Sequence, residues 1–181
     1  MSKDASIYNK VNGTEAFLSG LVEAYTEIIL SYALGKISRA GFCISLISDV
    51  YAAGENNEIT IQQAIKKRIN EKCFDTMFDN GDVDEDIIDR SINSLKIVKL
   101  SPDINKEIEE LIKVGTSNAS EMRADIEQYT KSLEWYLGKP MNIYQVCDRN
   151  GLFDAYIYIP FGIIIIEYEE FYLMIGIGTD D

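Results

Sequence analysis

The chain has 181 residues, 30 acidic and 17 basic, so its formal charge is −13, and it contains no histidine. This length fits one domain or at most two small ones, and 46% apolar residues are enough for a sizeable core, which excludes a disordered chain. The negative charge disfavours nucleic acid and anionic membrane surfaces and favours basic partners, and the lack of histidine removes the commonest general base and zinc ligand.

The opening residues Met1 to Ser6 are polar and lack the basic-then-apolar pattern of a secretory signal, so a cytoplasmic location is expected. From Thr14 to Leu34, apolar residues at Phe17, Leu18, Leu21, Val22, Tyr25, Ile28, Ile29 and Tyr32 follow helical spacing, with Thr14 as cap and Gly35 just past the end. Glu23 and Glu27, beside Ser19, Thr26 and Ser31, recur nearly every fourth position as a wet stripe, which argues against a membrane span. A second helical pattern runs from Ile37 to Ala53 through Ala40, Ile44, Ile47, Val50 and Tyr51 and stops at Gly54. A third starts at Thr60, where Gln63 supplies a capping-box partner, and passes through Ala64, Ile65 and Ile69 to Cys73 before the turn at Asn80-Gly81.

Asp82 to Val98 reads as a fourth helix, with acids in its first turn and Ile87, Ile88, Ile92 and Leu95 on one face. Ser101-Pro102 starts another, serine as cap and proline at the first position, running to Gly115. The last starts at Asn118 or Ser120, carries Met122, Ile126, Tyr129, Leu133, Trp135 and Tyr136, and ends at Gly138-Lys139-Pro140; Trp135 with Tyr129 and Tyr136 reads as core packing in preference to an aromatic binding cluster. Beyond Pro140, β-branched and aromatic residues predict four strands: Asn142 to Asp148, Phe153 to Ile159, Gly162 to Tyr168 and Phe171 to Ile177. Arg149-Asn150-Gly151, Pro160 with Gly162, and Glu169-Glu170 mark the turns, and Ile163 to Ile166 reads as an interior strand with helices over one side. The expected architecture is one α+β domain over residues 1–181, with five or six helices over about 14–138 and a four-stranded antiparallel meander over about 141–178.

Seven acids lie between Lys72 and Arg90 with no base among them: Asp75, Asp79, Asp82, Asp84, Glu85, Asp86 and Asp89. An EF-hand does not fit, because taking Gly81 as the sixth position puts Thr76 first, Phe78 third and Ile87 twelfth. Two readings of the cluster remain: a docking patch that steers a basic partner, or a solvated loop with a well-favoured helix start. A second acidic group, Glu167, Glu169 and Glu170, sits beside Tyr168, Phe171 and Tyr172, a mixture of carboxylate and aromatic surface that suits an interface or guards a hairpin edge. No spacing places two carboxylates across a cleft, and Cys/His and Ser/His arrangements are impossible without histidine. Cys43, Cys73 and Cys147 read as core residues, and Lys66-Lys67-Arg68 as a solvated helix face. No catalytic residue, metal site or cofactor is expected.

The blocks Tyr156 to Gly162, Ile163 to Tyr168 and Phe171 to Asp181, closing on Gly-Thr-Asp-Asp, resemble the final strands of small bacterial immunity proteins of contact-dependent growth inhibition and related polymorphic toxin systems. The resemblance implies a cytoplasmic, non-catalytic protein that binds a cognate toxin domain, often a basic nuclease, and covers its active site. No binding residue carries over by position. The residues this reading assigns to the partner are Asp79, Asp82, Asp84, Glu85, Asp86 and Asp89, with Glu167, Tyr168, Glu169, Glu170 and Tyr172. A structural or regulatory adaptor is the alternative.

Overall fold

The computed structural model describes residues 3–37, 43–53, 59–67, 85–147 and 162–180. Cys43–Ala52 is a strand, β1, where a helix was expected. Its apolar residues alternate: Ile44, Leu46, Val50 and Ala52 join one core, while Ile47 and Tyr51 join another. A strand buried on both faces and one face of a helix both accept apolar residues at positions 44, 47, 50 and 51, so periodicity could not separate them. Pairing decides, because β1 runs antiparallel to the last strand, from Cys43↔Asp180 to Ala52↔Phe171.

Among the described residues four more strands join β1 in an antiparallel sheet: β2 (Lys96–Lys99), β3 (Asn142–Cys147), β4 (Gly162–Glu167) and β5 (Phe171–Asp180), in the order β1-β5-β4-β3-β2. Ile97 and Val98 therefore belong to an edge strand and not to the end of a helix, and strands are not confined to the C-terminal region. Exposed Lys96 and Lys99 flank β2, a charge pattern that discourages pairing with another chain's edge. The anticipated strand at Phe153–Ile159 and the Arg149-Asn150-Gly151 turn lie outside the described residues; β3 pairs directly with β4 on one side and β2 on the other.

Helices cover both faces. Over the first face lie α1 (Lys3–Tyr25), a π-helical stretch (Thr26–Ser31), α2 (Tyr32–Ile37), α5 (Ile104–Gly115) and α6 (Arg123–Leu137), the last entered through a short 3₁₀ turn (Ala119–Met122). Residues 61–67 (α3) and α4 (Glu85–Asn93) contribute Ala64, Ile65 and Ile92 to a second core on the opposite face. β4 shows why both layers are needed: Ile164 and Ile166 enter the first core, Ile163 and Ile165 the second, and all four are buried. Helices on one side only, as expected, would have left half of this strand in water.

Helix ends follow local chemistry with three corrections, the first being that Thr14 lies inside α1, which begins at Lys3, and is not its cap. Thr60 N–H donates to Gln63 Oε1 (2.6 Å) and Gln63 N–H to Thr60 Oγ1 (3.3 Å), the reciprocal cap expected at the start of α3. α5 is capped by Asp103, whose Oδ1 accepts from Lys106 N–H at 3.1 Å, and not by Ser101, because the carboxylate stands where the first free N–H groups converge. Gly35 is helical and does not terminate the first segment. Gly138 ends α6 with φ +81°, a conformation open to glycine, and its N–H donates to the Glu134 carbonyl at 3.0 Å. At the end of α5, a Cβ on Gly115 would stand 3.1 Å from Ile177 Cδ1 and 3.2 Å from Ile44 Cδ1, so glycine lets the helix meet β1 and β5.

The π stretch answers a four-residue repeat. Leu18, Val22, Thr26, Leu30 and Leu34 are all buried at steps of four, and such a repeat drifts around a helix of about 3.6 residues per turn. The wider turn absorbs the drift: Tyr32 N–H reaches back to the Glu27 carbonyl, and the dry side stays on the sheet. Thr26 thus leaves the wet stripe in which it was placed and is 3% exposed. Its hydroxyl lies 2.8 Å from Ser48 Oγ on β1 and 2.9 Å from Tyr129 OH on α6, joining three elements inside the first core. Burial pushes the Tyr129 phenol above its ordinary pKa. Outside this core, Glu109 clasps Arg123 with two bonds (2.9 and 3.2 Å) and meets Lys113 at 3.1 Å, and the Arg123 bond first, then Lys113, holds its carboxyl down to about 2.

Replacing Thr26 by Val strands two buried hydroxyls and should cost about 1–3 kcal/mol. In a urea-unfolding double-mutant cycle, Tyr129→Phe should cost less in the Thr26→Val background than in the native one; additive losses would count against a shared network.

Candidate partner-binding surfaces

The acidic cluster is only partly visible. Asp79, Asp82 and Asp84 lie outside the described residues, Glu85 opens α4, and Asp86 is exposed on its first turn. Asp89 is engaged within the protein: its carboxylate meets Lys66 Nζ of α3 at 2.7 Å, tying together the two helices of the second layer. Lys67 pairs with Glu15 of α1 and lies 5.4 Å over the Tyr51 ring. The basic pair Lys66-Lys67 is therefore an internal clasp, and Arg68 lies outside the described residues. With side-chain exposures of 34% and 49%, the Lys66–Asp89 pair contributes modestly to stability, about 0–1 kcal/mol.

The second acidic group is rearranged relative to expectation. Glu169 and Glu170 are exposed at a two-residue turn closed by Tyr168 N–H donating to the Phe171 carbonyl at 2.8 Å. Tyr168, Phe171 and Tyr172, however, are 1%, 8% and 5% exposed, so the turn carries carboxylates without aromatic surface. Register explains this: Phe171 faces the first core and Tyr172 the second, while Tyr168 packs into the first core beyond the end of β4. Glu167 is also not at the tip. On the second face, Tyr51, Tyr172, Glu167 and Asn142 stand side by side across four strands. Glu167 Oε2 accepts from Asn142 Nδ2 at 2.7 Å and from Tyr144 OH at 2.9 Å. Burial, then the bond to Glu167, pushes the Tyr144 phenol up to about 12, and burial with the same carboxylate raises Tyr172.

Exposed aromatic surface lies elsewhere, at positions read as core. Trp135 is 85% and Tyr136 40% exposed, because Ile126, Tyr129, Leu133 and Leu137 already fill the buried stripe of α6. The signal was present in the sequence: Trp135 is two residues from Leu133, which on a helix is nearly the opposite side. Tyr136 rests against Tyr25 with ring centroids 6.2 Å apart. Phe17, Ile28 and Tyr32 are exposed on the N-terminal helical segment, and Lys36 Nζ stands 3.9 Å over the Tyr32 ring. That segment, Thr14–Ile37, is long and apolar enough to cross a membrane by length and composition, while its other side packs into the first core.

Among the described residues no three acidic or cysteine side chains converge as metal ligands, and Cys147 is a half-buried free thiol. Cys73 lies outside the described residues. The groove between α5 and α6 is lined by Asp103, Asn105, Lys106, Glu109, Arg123 and Glu127, of which Glu109 and Arg123 are paired with each other and Glu127 with Lys131. No family model, curated protein or solved structure matches this chain.

The Tyr144–Glu167 pair is checked at high pH. A phenol whose pKa is raised from 10.0 to about 12 on folding stabilises the fold below pH 10, and that contribution is lost as pH rises toward 12. Stability should therefore fall less steeply between these values in Tyr144→Phe than in the native chain, and tyrosinate absorbance should show one late-titrating phenol fewer. Equal slopes would remove Tyr144 from the account.

Proposed function

We propose that this protein is an inhibitor of the immunity type, binding a cognate basic toxin domain, such as a nuclease, and covering its active site without turnover. The observation that carries this reading is the charge of −13, together with carboxylates placed at exposed turns and helix starts. Asp86 is exposed on the first turn of α4, and Glu169 and Glu170 protrude between β4 and β5. Carboxylates so placed can occupy the positions that substrate phosphates take on a basic enzyme and can speed encounter through long-range attraction. The likeness of the closing strands to immunity proteins supports the same role. Tyr168 and Tyr172 drop out of the proposed contact set because they are buried, and Asp89 because it is held by Lys66. Asp79, Asp82, Asp84 and Glu85 stay in it by charge and sequence position alone.

Pull-down of the tagged protein from its native cells at low and high salt tests the reading. Recovery of one basic toxin domain in near-equal amount, released as salt rises, is the expected result; recovery of the protein alone would reject it. With that partner in hand, reversing Asp82, Asp84, Glu85 and Asp86 to lysine should slow association about tenfold or more and flatten its salt dependence. If Glu169→Lys with Glu170→Lys does so instead, the turn is the contact.

A further inference from the structure

The N-terminal helical segment has a dry side and an open apolar side. Leu18, Val22, Leu30 and Leu34 are sealed against the body of the protein. On the other side Phe17, Ile28 and Tyr32 are 63%, 69% and 64% exposed. Beside them Ala16, Gly20 and Ala24 are exposed at every fourth position, and nothing stands within 4 Å of where a Gly20 Cβ would be. Tyr136, resting on Tyr25, extends this surface onto α6, and Trp135 follows. The π turn keeps Ile28 and Tyr32 on the same side as Phe17 and Ala24.

We propose that this face binds a second copy of the chain, the two N-terminal helices crossing antiparallel at Gly20 and Ala24. Two observations select this occupant. The first is area: the exposed parts of Phe17, Ile28, Tyr32, Trp135 and Tyr136 amount to roughly 700 Å² per copy, near the roughly 800 Å² that each partner buries in a stable complex. The second is shape. A twofold axis passing between Gly20 and Ala24 sets Gly20 against Ala24 and Ile28 against Ala16 of the other copy, so along this row the one large side chain meets a small one and the contact is self-complementary. A parallel crossing would put Ile28 on Ile28, with no small residue to receive either side chain. A lipid surface fits less well, because exposed Glu23 and Glu27 border the face. The proposal does not depend on the inhibitor reading, since it concerns a different surface and a different partner.

Charge gives the association a signature. Each copy carries −13, so repulsion opposes the dimer and salt, by screening it, should strengthen the dimer, whereas salt weakens the hold of an acidic protein on a basic one. Sedimentation equilibrium of the full chain at about 0.05 M and about 0.5 M salt reads this directly. The expected result is a reversible dimer that tightens with salt. Ile28→Asp should weaken it at least about tenfold. Gly20→Leu should also weaken it by blocking close approach, while leaving the monomer's melting temperature unchanged or higher, because leucine favours helix and meets nothing in the monomer. A monomer at every concentration, a dimer indifferent to both substitutions, or one that salt dissociates would each overturn the proposal. So would co-flotation of the native chain with neutral phosphatidylcholine vesicles that Ile28→Asp abolishes.

Discussion

The ladder from Cys43↔Asp180 to Ala52↔Phe171 joins the early part of the chain to its end, and most other features follow from it. With β1 seated on the outer side of β5, β4 becomes the middle strand and must be covered on both faces. That requirement accounts for a run of four isoleucines, for the second core under α3 and α4, and for the burial of Tyr172 and Met174 in a strand that alternates between the two cores. Contacts this distant in sequence close a large loop, an entropic cost that burial of the sheet on both faces offsets.

Polar groups are used sparingly inside this frame, and each draws elements together. Thr26 links the π stretch, β1 and α6 through one hydroxyl. Glu167 does the same for β3 and β4 on the other face, where its carboxylate is committed to Asn142 and Tyr144. Lys66 and Lys67, the conspicuous basic run, hold α3 to α4 and to α1. Charges that looked available for a partner are thus divided between those that build the fold and those, such as Glu169 and Glu170, that extend into water. A half-buried carboxylate that already has two donors has less to offer an incoming arginine than an exposed one, which can exchange water for it.

Much of the helical content was legible. The capping box at Thr60 and Gln63, the run from Ile104 to Gly115 and the glycine stop at Gly138 rest on interactions between near neighbours, which a linear pattern records. The strands β4 and β5 and the turn at Glu169-Glu170 were legible for a similar reason, since β-branched runs broken by a tight turn have few alternatives. β1 and β2 were not, because residues 44–51 and 96–98 satisfy helical and extended spacing alike. The surfaces divided in the same way: acidic positions could be read from charge, but whether Tyr168, Tyr172 or Trp135 faced water depended on packing.

Composition, charge and local capping by themselves determined an acidic α+β protein, the ends of its best helices and its closing hairpin, because these depend on residues within a few positions of each other. Only the tertiary structure decided that β1, from the first third of the chain, pairs with the last strand, that the aromatic residues near the acidic turn are inside, and that the open apolar surface belongs to α1 and α6. Those outcomes turn on which of two equally apolar faces finds a partner. That choice is made by segments far apart in the chain and leaves no trace in any short window of it.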